Sequence, residues 1–342
     1  MTIELPSVRP LCAIIDRAID ARRELVERLH AEDTDAYRLF HGIAEGCEGL
    51  TIDRYGPLVL VQTFRAPLAG SDVAELEAHL RSRLAFDHEL VYNHRTERGS
   101  EGFDRWHRPR EQALREVACR ELGVSYAIRG RHEGQDPWLF LDLRAGRRFV
   151  RDHAAGKSVL NFFAYTCSAG VCAAVHGASE VWNVDFSRTH LSVGQCNARS
   201  NGIDLGRMRF LAEDCIPVLR QIAGLPVKGR ASARPYVRLE PREFDLVVLD
   251  PPAWSKGPFG AVDVERDYAG LFKPALLATA EGGTLLATNH VARVGLGGWL
   301  ESLRRCAAKA GRRLRDIEVL RPDADFPSLD GEPPLKIAAC FL

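Results

Sequence analysis

The sequence carries no excess of either charge, because Lys plus Arg and Asp plus Glu each number 46 in 342 residues. This balance excludes a uniformly basic surface for nucleic acid, although it leaves room for local basic patches. Internal repeats and low-complexity segments are also lacking, which excludes a repeat architecture. The 46% hydrophobic and 27% charged content is that of an ordinary globular protein, long enough for two domains.

Metal-binding and disulfide patterns are lacking as well. The nine cysteines form no CxxC pair, and none has a histidine partner at the spacing of a zinc site. We therefore expect reduced thiols that mostly fill core positions, and no bound metal. No apolar run approaches the roughly 18 residues of a membrane span, and the opening residues do not resemble a signal peptide. We expect a cytoplasmic protein.

What is present is a pattern that changes along the chain. Residues 11–33 have apolar side chains at helical spacing and predict one helix within an N-terminal segment, residues 1–33. Residues 34–130 combine short strands with one helical stretch and predict a small α+β domain. In residues 131–342, strand and helix patterns alternate strictly. This alternation predicts an α/β domain with a largely parallel sheet covered by helices on both faces.

Acidic residues follow the strands of this predicted sheet, at the edge where ligands bind in such folds. The first strand leads into a small-residue turn, NFFAYTCSAG, and the next three strands end at Asp185, Asp214 and Asp250. Asp185 is placed to accept hydrogen bonds from ribose hydroxyls, and Asp214 from an adenine amino group. Capping of the following helix is the alternative for both residues, and the roles are compatible. So much negative charge favours a nucleoside that carries a cationic sulfur.

These strand ends, with the hairpin that closes the sheet, resemble the class I S-adenosylmethionine (SAM)-dependent methyltransferases. More narrowly, they are similar to a bacterial family that methylates large-subunit ribosomal RNA, at cytosine C5 in some members and guanine N7 in others. The stretches that carry this similarity are WLFLDLRAGRR, VLNFFAYTCSAG, VDFSRTHLSVGQCNARSNGI and DPPAWSKGPFGAVDVERDYAGLF. The resemblance covers residues 34–342 and implies a Rossmann-like, seven-stranded methyltransferase domain preceded by a small α+β domain that binds the RNA substrate.

The resemblance also implies a SAM site. Its positions in this chain are Asp142, Arg144, Asn161, Phe163, Ala164, Tyr165, Thr166, Asp185, Phe186, Asp214, Cys215 and Asp250. Residues 164–166 would contact the methionine part, Asp185 the ribose and residues 214–215 the adenine. Asp142 and Arg144 would approach the amino-acid end of the cofactor.

One position departs from the family. Cys167 stands where members usually have glycine. A side chain at this point of the cofactor turn predicts a less close approach of the backbone to SAM.

The turn after the fifth strand indicates the target atom. Cytosine C5 needs a cysteine thiolate to attack the ring, and members of the C5 branch have that cysteine in this turn. Here the turn reads ATNHVAR, so guanine N7 is favoured, because its lone pair needs only positioning. Pro251 and Pro252 would fix the turn after Asp250, Trp254 would stack on a flipped base, and Asn289 would bind its edge. A packing role is the alternative for Trp254.

Basic stretches are candidates for holding RNA. They are residues 144–151 (Arg144, Arg147, Arg148, Arg151), the interdomain stretch (Arg95, Arg98, Arg105, Arg108, Arg110) and an insertion at residues 227–243 (Lys228, Arg230, Arg234, Arg238, Arg242). Ordinary solvated charges are the alternative. An exocyclic amine target, a small-molecule or protein methyltransferase, and a non-catalytic SAM- and RNA-binding assembly factor also remain open.

Overall fold

The computed structural model describes residues 8–95, 113–130, 137–227, 236–257 and 259–342. They form two compact units. Unit 1 consists of the described residues up to Arg144 together with Pro322–Gly331, and unit 2 of those in Ala145–Arg321 and Glu332–Leu342. The predicted boundary after residue 130 therefore lies inside unit 1. No helix in the described part of the chain is long and apolar enough to cross a membrane.

Unit 1 is built on a four-stranded sheet in the order β1-β2-β3-β4, with a separate β5-β6 hairpin. Its elements are α1 (Val8–Ala21), α2 (Arg23–Ala31), β1 (Ala36–His41), β2 (Leu50–Tyr55), β3 (Leu58–Thr63), α3 (Gly70–Arg83), β4 (Glu89–His94), β5 (Glu116–Glu121) and β6 (Val124–Arg129). Strands β1 to β3 form an antiparallel meander, and α3 leads into β4, which runs parallel to β3. The helices of the N-terminal segment belong to this unit, because Leu11, Ile15 and Leu29 share one core with the sheet.

The single helix predicted over residues 11–33 is wrong. The chain forms two helices, with Arg22 between them at φ −95° and ψ 1°. The buried Arg22 side chain donates to the carbonyl oxygen of Ala18 at 2.9 Å and forms an ion pair with Glu45. Apolar periodicity continues through this break, because both helices pack on the same core.

Unit 2 has the seven-stranded sheet that the sequence predicts, in the order β14-β15-β13-β10-β7-β8-β9. Its elements are α4 (Arg144–His153), β7 (Ser158–Phe162), α5 (Ser168–Val175), β8 (Glu180–Asp185), α6 (Arg188–Ser200), β9 (Met208–Ala212), α7 (Cys215–Ile222), β10 (Phe244–Leu249), β11 (Trp254–Gly257), β12 (Gly260–Asp263), α8 (Ala269–Leu277), β13 (Thr279–Asn289), α9 (Leu296–Lys309), β14 (Asp316–Leu320) and β15 (Lys336–Phe341).

The central strands of this sheet are parallel, and the closing hairpin is antiparallel. Strands β9, β8, β7, β10 and β13 pair in parallel, whereas β15 runs antiparallel to both β13 and β14. Helices α7, α8 and α9 cover it with buried side chains such as Val218, Phe272 and Trp299. Two elements were not expected from the sequence pattern: α4 and the β11-β12 hairpin, which come after the LDLR and DPPAW motifs.

Candidate cofactor and substrate site

The strand order places a topological switch point between β7 and β10. From β7 the chain moves outward to β8 and β9, whereas β10 leads to β13 on the other side. Ligands of open α/β sheets bind at the carboxyl ends of the strands beside such a point. The predicted residues after β7, β8, β9 and β10 all lie at this edge of the unit 2 sheet.

The turn after β7 is unusually bent. Phe163, Tyr165 and Cys167 have left-handed backbone conformations, with φ of 55°, 49° and 62°. Such a conformation costs about 1 kcal/mol or more for a residue with a side chain, and it is concentrated at ligand sites. The turn leads into the amino end of α5, where backbone N–H groups favour a polar or anionic group.

The Cys167 side chain packs inside the protein, and a less close approach of the backbone to SAM stays a prediction. The side chain is fully buried on the inner side of the turn, against Gly194 of α6. A Cβ added to Gly194 would lie 2.4 Å from the Cys167 Sγ. Burial, followed by the charge of Asp185, raises the pKa of the Cys167 thiol well above its usual range, so the thiol stays protonated. Gly194 therefore makes room for the cysteine.

This packing predicts a coupled pair. Gly194→Ala should lower the free energy of unfolding by about 1–3 kcal/mol, because the new methyl group overlaps the buried thiol. Adding Cys167→Gly should recover most of the lost stability. Chemical denaturation of both single variants and the double variant measures the free energies of unfolding. An equal cost of Gly194→Ala in both backgrounds would contradict the pairing.

Asp185 connects the turn after β7 with the turn after β8. Its carboxylate accepts the Tyr165 N–H at 2.9 Å through Oδ2 and the Ser187 N–H at 2.9 Å through Oδ1. Burial raises the pKa of Asp185, against the opposing effect of these two hydrogen bonds. The adjacent Phe186 is 69% exposed, a large aromatic face beside a carboxylate that has lone pairs for ribose hydroxyls.

Asp214 caps α7, the alternative that the sequence left open. Its Oδ1 accepts from the Ile216 N–H at 2.9 Å, and its Oδ2 accepts from the Phe259 N–H at 3.4 Å. A Cβ on Gly257 would lie 2.4 Å from that Oδ2, so the β11-β12 hairpin approaches this carboxylate closely. The neighbouring Cys215 is buried, and burial raises the pKa of its thiol well above the usual range.

Asn161, another predicted cofactor position, has a structural partner in the neighbouring strand β8. It donates to the Asn183 Oδ1 at 3.0 Å, and a Cβ on Gly170 would lie 2.0 Å from the same oxygen. The sequence shows no feature that distinguishes this buried amide pair from a ligand-binding asparagine. A cofactor contact for Asn161 stays a prediction.

Arg144, the first residue of α4, is the last residue before the boundary of unit 1, and its side chain is only 1% exposed. It binds both carboxylate oxygens of Asp325, at 2.6 and 2.7 Å, and Asp323 at 2.8 Å. It also donates to the carbonyl oxygen of Ala36 at 2.9 Å. Its side chain therefore has a structural role in unit 1. Asp142 lies two residues earlier, in the short 3-10 turn Leu141–Leu143 of the same unit.

The turn after β10 and the turn after β13 are joined by side chains. Thr288 donates through its hydroxyl to Asp250 Oδ1, and the Ala253 N–H donates to His290 Nε2 at 2.9 Å. Trp254 begins β11 and is 62% exposed, which excludes the packing role for its ring. Sequence reasoning singled out Asp250 and Trp254, but it could not identify the Ala253 N–H as the donor to His290.

Asn289 lies beneath this surface. It is fully buried, and its Oδ1 accepts from the Val291 N–H at 2.9 Å. Its Nδ2 has no hydrogen-bond acceptor among the described residues. Recognition of a base edge by Asn289 stays a prediction.

The predicted basic strip at residues 144–151 is wrong as an exposed surface, because Arg144 and Arg147 are buried. In the insertion, Arg242 pairs with Glu180, and Arg238 contacts Tyr236. Arg95, Arg148 and Arg151 are partly buried. Seven further candidates lie outside the described residues: Arg98, Arg105, Arg108, Arg110, Lys228, Arg230 and Arg234. The described residues contain no cluster of His, Cys, Asp or Glu that would hold a metal ion.

The strand order and the carboxylates at its strand ends define unit 2 as a Rossmann-like domain of the class I methyltransferase type. The family of S-adenosylmethionine-dependent methyltransferases matches residues 38–341. The chain belongs to this family, which confirms the predicted enzyme class and its cofactor, SAM.

Two curated relatives and one solved structure are similar to this chain. Ribosomal RNA large subunit methyltransferase K/L of Colwellia psychrerythraea is 28% identical over 292 residues, which cover 81% of this chain and 37% of that protein. Ribosomal RNA large subunit methyltransferase I of Aeromonas salmonicida is 28% identical over 320 residues, 91% of this chain and 74% of that protein. The SMU.776 protein, solved in complex with SAH, has the same fold, with a TM-score of 0.79 at 22% identity over 100% of this chain and 83% of its own.

Proposed function

We propose that this protein methylates RNA, that its substrate is large-subunit ribosomal RNA, and that guanine N7 is the acceptor atom. The names of the two relatives support the substrate class. The observation that carries the proposal is the exposed Trp254 beside a strand-end turn that contains no thiol. An exposed aromatic ring at this edge suits a base that is turned out of its stack.

We assign the cofactor to the edge formed by the turns after β7 and β8. The bent backbone of residues 163–167 would hold the amino-acid end, Asp185 the ribose hydroxyls and Phe186 one face of the adenine. The carboxylate chemistry of this edge suits a cationic sulfonium. SAM supplies an electrophilic methyl group, and the protein has to bring the acceptor atom in line with it.

The absence of a cysteine from the turn after β13 supports N7 over C5. Thr288, Asn289 and His290 occupy the turn where the C5 branch has its cysteine. Cys167 and Cys215, at the cofactor edge, are buried, and burial raises the pKa of both thiols. Guanine N7 has an in-plane lone pair and no proton to lose, so neither a nucleophile nor a base is required. Asp250 accepts from Thr288, and we assign it an orienting role.

We also propose that unit 1 contacts the RNA. Phe64 follows β3, is 45% exposed, and has the Arg95 guanidinium 5.6 Å from its ring centre. An exposed ring beside a cation is a typical stacking position for single-stranded RNA.

The function is tested by nucleoside mass spectrometry of ribosomal RNA from cells with and without the gene. A lower content of 7-methylguanosine in ribosomal RNA from the cells without the gene supports the whole proposal. Loss of a different methylated nucleoside contradicts N7 but supports RNA methylation. If no nucleoside changes, transfer of labelled methyl groups from SAM to metabolite and protein fractions tests the small-molecule and protein alternatives.

Trp254 provides a test at the level of the enzyme. We expect Trp254→Ala to raise the KM for RNA about 10- to 100-fold, because stacking one base contributes about 1–3 kcal/mol. Trp254→Phe keeps an aromatic face and should retain most of the affinity. The Kd for SAM, measured by calorimetry, should stay unchanged in both variants. Equal KM values for the alanine and wild-type enzymes would contradict base stacking at this position.

A further inference from the structure

We propose that His290 is a positioning residue for methyl transfer, because its Nε2 holds the turn that carries Trp254. This inference rests on the proposed function, since Trp254 is the base-stacking residue there. The turn after β10 contains Pro251 and Pro252, which have no N–H group. The N–H of Ala253 is therefore the first backbone donor after Asp250, and it donates to His290 Nε2 at 2.9 Å.

The direction of this hydrogen bond is fixed by its chemistry. A backbone N–H only donates, so His290 Nε2 must carry a lone pair and no proton. Ala253 is held on its other side as well, because its carbonyl oxygen accepts from the Val264 N–H at 3.0 Å. With both backbone groups bonded, Ala253 fixes where the chain enters β11 and thus the starting point of the Trp254 side chain.

His290 projects from a turn that is itself firmly anchored. The Val291 N–H donates to Asn289 Oδ1 at 2.9 Å, and Lys336 Nζ donates to the Val291 carbonyl oxygen at 3.1 Å. On the strand side, the Tyr268 hydroxyl donates to the Thr288 carbonyl oxygen at 2.8 Å. The backbone on both sides of His290 is therefore held in place without bound RNA.

Two hydrogen bonds join the turn after β10 to the turn after β13. Thr288 donates to Asp250, before the paired prolines, and Ala253 donates to His290, after them. Trp254 is the first residue of a short hairpin, and its ring is exposed. The protein core therefore does not hold the ring in place. Loss of the His290 acceptor would let residues 253–254 move. A base stacked on Trp254 would then be less well aligned with the methyl group, which lowers kcat more than it changes cofactor binding.

The experiment compares two substitutions of different hydrogen-bonding capacity. His290→Leu removes the acceptor, whereas His290→Gln places an amide oxygen near the position of Nε2. His290 is exposed, so both variants should fold with unchanged melting temperature. We expect His290→Leu to lower kcat for RNA methylation about 10-fold or more, with an unchanged Kd for SAM, and His290→Gln to recover most of the rate.

A second readout does not depend on activity. The fluorescence of Trp254 is obtained by subtracting the signal of matched Trp254→Phe proteins, and its quenching by acrylamide is measured. The quenching should change in His290→Leu and return to the wild-type value in His290→Gln. Unchanged quenching in His290→Leu, or equal rates in the leucine and glutamine variants, would overturn the proposal. If the wild-type protein transfers no methyl group to RNA, the proposed function fails, while the quenching comparison still tests the link between the turns.

Discussion

Replacement of Asp325 by asparagine should lower the free energy of unfolding by about 3–5 kcal/mol, the usual cost of breaking a buried ion pair on one side. Asp325 is fully buried, accepts two hydrogen bonds from Arg144, and accepts a third from the Arg38 N–H at 3.0 Å. An asparagine would present an N–H₂ group to these donors and leave the Arg144 charge with its ion pair to Asp323 and the negative charge of Glu121.

The measurement is urea-induced unfolding followed by circular dichroism. Asp330→Asn is the matched control, because Asp330 lies in the same segment but is exposed, and its replacement should change stability by no more than about 0.5 kcal/mol. Equal stability of the two variants would show that the carboxylate of Asp325 contributes little to unit 1.

Replacement of Asp185 by asparagine should raise the Kd for SAM about 10- to 100-fold, because hydrogen bonds to a charged acceptor contribute about 1.5–3 kcal/mol each. The variant loses the charged acceptor that we assign to the ribose. It also weakens the bonds from Tyr165 and Ser187, which hold the cofactor turn. Calorimetric titration with SAM measures the change, and Asp185→Ala should have the larger effect.

Glu180→Gln is the control, because Glu180 begins the same strand at its opposite end, and the Kd should not change. The pH dependence gives a further check. Burial raises the pKa of Asp185, so SAM affinity of the wild type should fall with decreasing pH at a less acidic value than for an ordinary aspartate. Asp185→Asn should lack this fall. A Kd equal to that of the wild type would contradict the ribose assignment.

The architecture of unit 2 was predictable from the spacing of its apolar residues and from the residues that follow its strands. The alternation of apolar strands with helices led to the seven-stranded sheet, and Asp185, Asp214 and Asp250 lie at the expected ends of its strands. The β11-β12 hairpin was missed because WSKGPFG is rich in Gly and Pro, residues that mark loops in the absence of tertiary contacts. Its contact with Asp214 depends on the folded sheet.

Buried charges explain the other failures. Arginines at positions 144 and 147 suggested an exposed basic strip, because arginine is almost never fully buried unless it is paired. The partners of Arg144 lie about 180 residues away in sequence, so no local pattern reveals them. The role of His290 also depends on a distant donor. The fold followed from local patterns, whereas these parts of the site depended on pairs that only the folded chain brings together.

The ten residues Pro322–Gly331 give the protein an order of assembly during synthesis. Unit 1 needs Asp323 and Asp325 to neutralise Arg144, but these carboxylates leave the ribosome only after most of unit 2 has been made. Domains usually fold as they emerge, from the amino end onward. Here the charge network around Arg144 is therefore completed only after residues 322–331 have been made, although Glu121 supplies a further negative charge to it earlier.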